Sequence, residues 1–304
     1  MPFYPNQLHL RTILITVLLL LLSSCVTIPD NHFTVEQNNG LCTVNSACDC
    51  AGSVLPESFL NIDSRDRGLN PDRITLLSWN SYKQTSPAWL ARLHQLSTGV
   101  DLLTLQEGVM SKGLRDQLKE DFPGGWLLAN AFSQKDRPTG VLTAAGVQSD
   151  FSCSFRIAEP IIIVPKTVLI SRYPIAGSNA TLLLANLHMV NFSLAFTTYR
   201  EQLRKTFDLL NQHEGPILIA GDFNSWSRGR QTIMLHFADA LGMETVRFPE
   251  DTRSRFHGHA LDYIFYRGLQ QLTASSPPVN ESDHNPLLAT FRVADPVLTT
   301  ESHL

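Results

Sequence analysis

The sequence carries no surplus of positive charge: across 304 residues, 24 Lys and Arg stand against 28 Asp and Glu, a formal charge of -4. That balance gives no electrostatic case for tight nucleic-acid binding and leaves only local basic loops to serve it. Internal repeats and low-complexity tracts are absent, so nothing reads as a repeat array. The apolar run Ile13 to Leu22, interrupted by Thr16, is too short to span a bilayer as a stable anchor. Cys42, Cys48 and Cys50 lack the paired spacing of zinc ribbons. His257 and His259 form an H-x-H with no carboxylate pair at the usual spacing, and read as a polar loop. What is present is ordinary for a globular chain: 43% hydrophobic and 17% charged residues. The length admits two domains, or one large α/β or sandwich domain with appendages.

The amino terminus has a signal peptide's layout, with Arg11 followed by the apolar run and then Ser23, Ser24 and Cys25. Leu22-Ser23-Ser24-Cys25 resembles a bacterial lipobox, in which cleavage leaves Cys25 as a lipid-modified first residue. Val26 follows, and by resemblance to bacterial lipoproteins the absence of Asp there favours the outer membrane. A soluble secreted or periplasmic protein is the alternative if Cys25 is not acylated. Export makes thiols prone to oxidise, so Cys42, Cys48, Cys50 and Cys153 are expected to form two bridges, tying the 42–50 segment to itself and to Cys153. A bridge between Cys48 and Cys50 would be strained.

The chain divides into a signal segment (1–24), a polar tether and cysteine-rich segment (25–70), a packed domain (71–295) and a loose tail (296–304). Within the packed part, strands are expected at 74–79, 101–106, 141–145, 166–170, 181–187, 261–266 and 286–293, and helices at 88–96, 111–122 and 194–212. The stretch Pro216 to Asn224, PILIAGDFN, organises them: a short β-branched apolar run, closed by Gly221, delivers Asp222 and Asn224 one pleat apart. Other apolar strands likewise end in polar residues, namely Asn80, Glu107, His188, and Asp283 with His284. Each has an ordinary structural reading: turn chemistry, a helix cap, a satisfied core histidine, or, for Asp262, a bond to backbone. Together they supply oxygens for a hard cation and imidazoles for proton transfer or charge stabilisation, the inventory of metal-assisted phosphoester hydrolysis.

SWNSYK, LLTLQE, ANLHMVNF, ILIAGDFNSW, LDYIFYRG and SDHNPLLATF, in this order across roughly 73–293, resemble the endonuclease/exonuclease/phosphatase superfamily that includes DNase I. More narrowly, WNSYK, HMVNFSL and GDFNSWSR resemble its YafD-like branch. The resemblance implies a four-layer α/β/β/α sandwich; composition and periodicity support only α/β with buried strands. It implies that Glu107 is the principal Mg²⁺ carboxylate, with Asn80 and Asp283 completing the metal site. Mn²⁺ or Ca²⁺ could substitute. By the same resemblance Asp222 orients or deprotonates the attacking water, Asn224 assists on the phosphate, His284 contacts it, and Asp262 fixes the His284 tautomer. His188 matches a second family histidine. Asn191 and Arg228 are further candidates for phosphate or substrate contact, whereas Trp226 and Arg230 read as surface or rim. The expected protein is an exported, lipid-anchored monomer that hydrolyses phosphoesters as a phosphodiesterase or nuclease. Phospholipid or inositol-phosphate hydrolysis is the alternative, although no long aromatic hairpin of the sphingomyelinase kind is seen. A non-catalytic binding protein on the same scaffold is the rival from another class.

Overall fold

The computed structural model describes residues 26–31, 33–37, 40–44, 68–160, 164–192 and 196–294; side chains at 37 and 40–44 are outside the description. The strands are β1 (Val26–Thr27), β2 (Phe33–Gln37), β3 (Gly40–Val44), β4 (Ile74–Asn80), β5 (Leu102–Val109), β6 (Gly125–Gln134), β7 (Arg137–Ala145), β8 (Phe151–Ile157) and β9 (Lys166–Pro174). They continue as β10 (Thr181–His188), β11 (Ile217–Asp222), β12 (Glu244–Thr245), β13 (Arg255–Phe256), β14 (His259–Ala260), β15 (Asp262–Arg267), β16 (Leu269–Ser275) and β17 (Leu287–Val293). The helices are α1 (Trp89–Ser97), α2 (Lys112–Asp121), α3 (Thr197–Leu210) and α4 (Arg228–Ala240).

Two large sheets form. One runs β16-β17-β4-β5-β7-β6-β2-β3, with β1 added to β6; the other runs β12-β15-β11-β10-β9-β8. Strand alternation assigns their faces. Leu76, Leu102, Leu287 and Phe291 of the first sheet meet Leu184, Leu218, Ala220 and Ile264 of the second in a shared core. The opposite pleats, Leu77, Trp79, Leu103 and Leu105, are covered by Trp89 and Leu93 of α1 and Leu114 and Leu118 of α2. Ile217, Ile219 and Phe265 are covered by Tyr199 and Leu203 of α3 and Met234 and Phe237 of α4. The result is the four-layer α/β/β/α sandwich that the motifs imply. Full burial of each such side chain contributes roughly 1.5–3 kcal/mol, so the paired layers hold the strand ends rigidly.

Several elements depart from expectation. Residues 26–44, read as tether, add β1 to β3 to the larger sheet, and Phe33 and Val35 of β2 are buried against β6. β11 ends at Asp222, one residue after Gly221, which closes the apolar run as expected. A glycine is needed there: its φ is +149°, and a Cβ would collide with the Leu187 carbonyl. The helix expected from 194 begins at Thr197, which leaves Phe196 at the cap position and 39% exposed. β6, β8, β16 and α4 are additional elements. β16 is an edge strand with mostly exposed residues, and α4 opens on polar Arg-Gly-Arg-Gln-Thr, so neither offers an apolar run.

Cys153 lies buried on β8 and is disulfide-bonded. The side chain of Cys42 and all of Cys25, Cys48 and Cys50 lie outside the described residues, as do the signal segment and the tail. Among the described residues no helix is long and apolar enough to cross a membrane.

Candidate active site

Backbone register places three candidates in one row. His188 of β10 pairs with Asp222 of β11, and Asp222 pairs with Asp262 of β15. Directly paired residues project from the same sheet face about 5 Å apart. In these strands Leu184, Ala220 and Ile264 point between the sheets, so the row emerges at the rim of that shared space. Asn80 arrives from the other sheet by the same parity, two pleats beyond Leu76. It donates from Nδ2 to Asp222 Oδ2 at 3.0 Å. A second bond crosses between sheets, Gln106 Nε2 to Asn186 Oδ1 at 2.8 Å. Gln106 precedes Glu107, and Asn186 lies two residues before His188, so this buried pair sets the register in which those two meet.

Glu107 needs one more device. Strict alternation would send it to the helix side with Leu103 and Leu105. Instead the pairing of β5 with β7 slips between Leu105 and Gly108, and Glu107 adopts φ 54°. The bulge re-aims the side chain, as bulges beside functional sites do. Its Oε1 comes within 3.9 Å of His188 Nε2, and its Oε2 accepts from Lys83 Nζ at 2.7 Å. Asn224 also sits at positive φ, 45°. Its backbone N–H donates to Asp222 Oδ1 at 2.8 Å, and its Nδ2 reaches the Met189 carbonyl at 2.9 Å and Asp222 Oδ2 at 3.4 Å.

The electrostatics separate these groups. Burial, reinforced by Asp262, lifts the Asp222 carboxyl to about 6, against the opposing pull of His284 and Lys166. Burial pulls His284 down, but Asp262 overrides it: its Oδ2 lies 2.6 Å from His284 Nδ1, and with Asp222 and Asp283 it raises the imidazole to about 10. His188 goes the other way, held well below its ordinary value by burial and then by the Lys166 ammonium. Lys166 Nζ donates to His188 Nε2 at 2.8 Å, which leaves the His188 proton on Nδ1. Burial also depresses the Lys166 ammonium, while Glu107 and Asp222 favour its charge.

Two places offer ligands to a cation. Asp222, Asp262 and His284 bring ligand atoms within 4.8 Å of one another. There Asp262 is already spent on a protonated imidazole, and an added cation would face like charge. Glu107 fits better: its carboxylate is partly accessible and has already drawn an ammonium to Oε2. Asn80 stands beside Asp222 with Oδ1 accepting from Tyr82 N at 3.1 Å. The Asp283 side chain is 55% exposed, 4.0 Å from His284 Nε2. The structure therefore gathers Asn80, Glu107, His188, Asp222, Asn224, Asp262 and His284, with Asp283 on the outer edge.

A family model described as Endonuclease/Exonuclease/phosphatase family matches residues 77–284. The chain belongs to that family. UPF0294 protein VV2535 of Vibrio vulnificus strain YJ016 is 38% identical over 222 residues, covering 72% of this chain and 77% of the relative. The endonuclease/exonuclease/phosphatase from Beutenbergia cavernae shares the fold, with TM-score 0.58 at 14% identity over 73% of this chain and 72% of the other. So does the mannosyl-6-phosphatase Bt3783 of Bacteroides thetaiotaomicron, with TM-score 0.56 at 16% identity over 72% and 99%.

The remaining candidates of this endonuclease/exonuclease/phosphatase member sort differently. Asn191 is committed to the scaffold: its Oδ1 accepts from Trp226 Nε1 at 2.8 Å, and its N–H donates to buried Glu159 at 2.9 Å. Arg228 is exposed at the first position of α4. Arg230, read as rim, is instead fully buried between the Tyr199 and Trp226 rings. It donates to the carbonyls of Val190, Asn191 and Asn224, tying together the loops that follow His188 and Asp222. Its place on the inner face of α4 was hidden because that helix was not expected. Lys166 opens β9, at the amino end of its strand, where the pattern of polar residues at carboxyl ends gives no sign of it. His257 is exposed at a hairpin tip and His259 Nδ1 faces Gln231 Oε1 at 3.2 Å, in keeping with a polar loop.

Proposed function

We propose that this chain is a Mg²⁺-dependent phosphodiesterase of nuclease type, exported and anchored in the outer membrane through lipid on Cys25. The observation that carries the chemistry is the arrangement of two neighbouring groups: His284 Nδ1 lies 2.6 Å from Asp262 Oδ2, and Asp222 is buried between Asn80 Nδ2 at 3.0 Å and the Asn224 N–H at 2.8 Å. Against burial, Asp262 pushes the imidazole up to about 10, and burial pushes the Asp222 carboxyl up to about 6. At neutral pH Asp222 is largely ionised yet basic enough to take a proton from an attacking water. Its orientation is fixed by the amides of Asn80 and Asn224. His284 keeps its charge through the Asp262 contact and presents Nε2 to the phosphoryl oxygens, where negative charge grows in the transition state. His188, neutral, supplies a polar wall without competing for the proton. Glu107, Asn80 and Asp283 would hold the metal, which would supply Lewis-acid polarisation of the phosphoryl group. Mn²⁺ or Ca²⁺ would fill the same oxygen set. The signal-peptide layout and the lipobox-like Leu22-Ser23-Ser24-Cys25 support the export, and the YafD-like motifs support the narrower branch.

A second reading, hydrolysis of a phospholipid or inositol-phosphate head group, draws support from Phe192 and Phe196, exposed by 50% and 39% beside the loop after His188. The test is Mg²⁺-dependent turnover by the exported chain offered DNA, RNA, sphingomyelin, phosphatidylinositol and inositol phosphates in parallel, beside His284→Ala. Nucleotide release that disappears in the variant is expected. Release confined to the lipid substrates would move the assignment to the second reading, and silence from a folded, metal-binding protein would refute both.

A further inference from the structure

We infer that Lys83 is a built-in competitor for the divalent cation at Glu107, so that this lysine sets how tightly the site holds metal. The inference rests on Glu107 being the metal carboxylate, as proposed above. Lys83 Nζ lies 2.7 Å from Glu107 Oε2, a direct ion pair. The backbone that delivers it is unusual: Tyr82, Lys83 and Gln84 have φ of 46°, 53° and 56°, three successive non-glycine residues in the left-handed region. L-residues avoid that region because Cβ crowds the following carbonyl oxygen. Such a turn persists only where its surroundings impose it, and they do. Ser81 donates from both N and Oγ to the carbonyl of Gln106, at 2.9 and 3.0 Å, and Asn80 Oδ1 holds Tyr82 N. The segment carrying Lys83 is thus pinned to the residue immediately before Glu107.

The pair itself does not explain the strain. The Lys83 side chain is 42% exposed and that of Glu107 17%, so water screens the pair from the lysine side and its contribution to the fold is modest. What the turn secures is position, a mobile +1 charge on the oxygen that a divalent ion would take. Glu107 has a second ammonium, Lys166, at 4.0 Å from Oε1. Lys166 is enclosed and bonded to His188, whereas Lys83 has solvent into which to swing. A metal entering at Glu107 must therefore displace Lys83 from Oε2, because the two cations repel at contact distance. Displacement weakens metal binding, and it frees an ammonium at the edge of the site only when metal has arrived.

The test is Mn²⁺ binding to the full exported chain, followed by loss of the free-ion EPR signal, with no substrate present. Lys83→Met should bind Mn²⁺ about tenfold tighter than the parent, the scale of one partly exposed charge pair. Lys83→Arg, which keeps the charge on the carboxylate, should stay within about threefold of the parent. Unchanged or weaker binding in Lys83→Met, with Glu107→Gln abolishing it, would overturn the lysine's role and leave the metal assignment standing. Parental affinity in Glu107→Gln would overturn both.

Discussion

Two histidines stand in this site a few ångströms from carboxylates, and their surroundings leave one cationic and the other neutral. His284 meets Asp262 at 2.6 Å and is held protonated to about 10. His188 stands 3.5 Å from Asp222, outside normal hydrogen-bond range, and has the Lys166 ammonium at 2.8 Å instead. Both imidazoles are buried and burial alone would neutralise both. The sign of the group at hydrogen-bond distance decides between them. Two residues of one type, one pleated rim and one solvent exclusion thus yield a cationic phosphate contact and a neutral wall.

The largest effect should come from removing the group that makes His284 different. Asp262→Asn takes away the counter-charge at hydrogen-bond distance and leaves burial opposed only by the weaker pull of Asp222 and Asp283, so the imidazole falls back toward its ordinary value. Turnover should fall by about 10²–10⁴-fold, the range of a lost general acid-base or charge-stabilising group. Stability should shift as well. The folded pKa of His284, about 10, lies above its ordinary 6.5, so its contribution is complete below about 6.5 and is lost as pH rises through about 10. Denaturant unfolding from pH 6 to 10 should show that decline in the parent and a flat profile in Asp262→Asn. A parent whose stability is constant over that window would break the comparison at its stronger half.

Much of this pairing was legible before any coordinates. Asn80, His188 and Asp222 each close an apolar strand, and strand parity carries all three to a common face, while Glu107 sits at the bulge of β5 and Asn224 just beyond β11. Spacing alone could not show that Asp262 and His284 touch, since 22 residues separate them; the family resemblance supplied that pair, and the 2.6 Å contact is in keeping with it. The bulge that turns Glu107 inward was equally hidden: LLTLQE reads as an ordinary alternation until its partner strand slips. The N-terminal strands escaped because β1 and β2 borrow their partner, β6, from a hundred residues away. Arg230, read as surface or rim, and Lys166, not singled out, share a different reason. A cation is read as surface unless something marks it as buried, and burial belongs to the packed chain.

Arg230 tests whether the neutral half of the site is held as firmly as the charged half. It positions His188 and Asn224 through the backbone of their loops. Arg230→Met fills the volume but leaves the carbonyls of Val190, Asn191 and Asn224 without their donor. A loss of about 2–4 kcal/mol is expected, read by thermal or denaturant unfolding. Arg230→Lys should recover little of it, because a single ammonium cannot fork across the Val190 and Asn191 carbonyls as the planar guanidinium does. Full rescue by lysine would show that charge, not geometry, is what the loops require.

The smallest effect is expected from Lys166→Met, which converts the comparison from two opposite neighbours to one. The ammonium is only the second cause of the depressed His188 pKa; burial is the first and survives the change. His188 should therefore move upward toward its ordinary value while staying below it, and NMR titration of its ring protons would follow that shift. Methionine also removes the donor that now holds Nε2 at 2.8 Å, freeing the ring to choose either tautomer. Turnover should drop by roughly tenfold at most, since no proton transfer is assigned to this imidazole. If His188 instead rose to match His284, the 3.5 Å separation from Asp222 would already be close enough to charge it, and Lys166 alone would account for the difference between the two histidines.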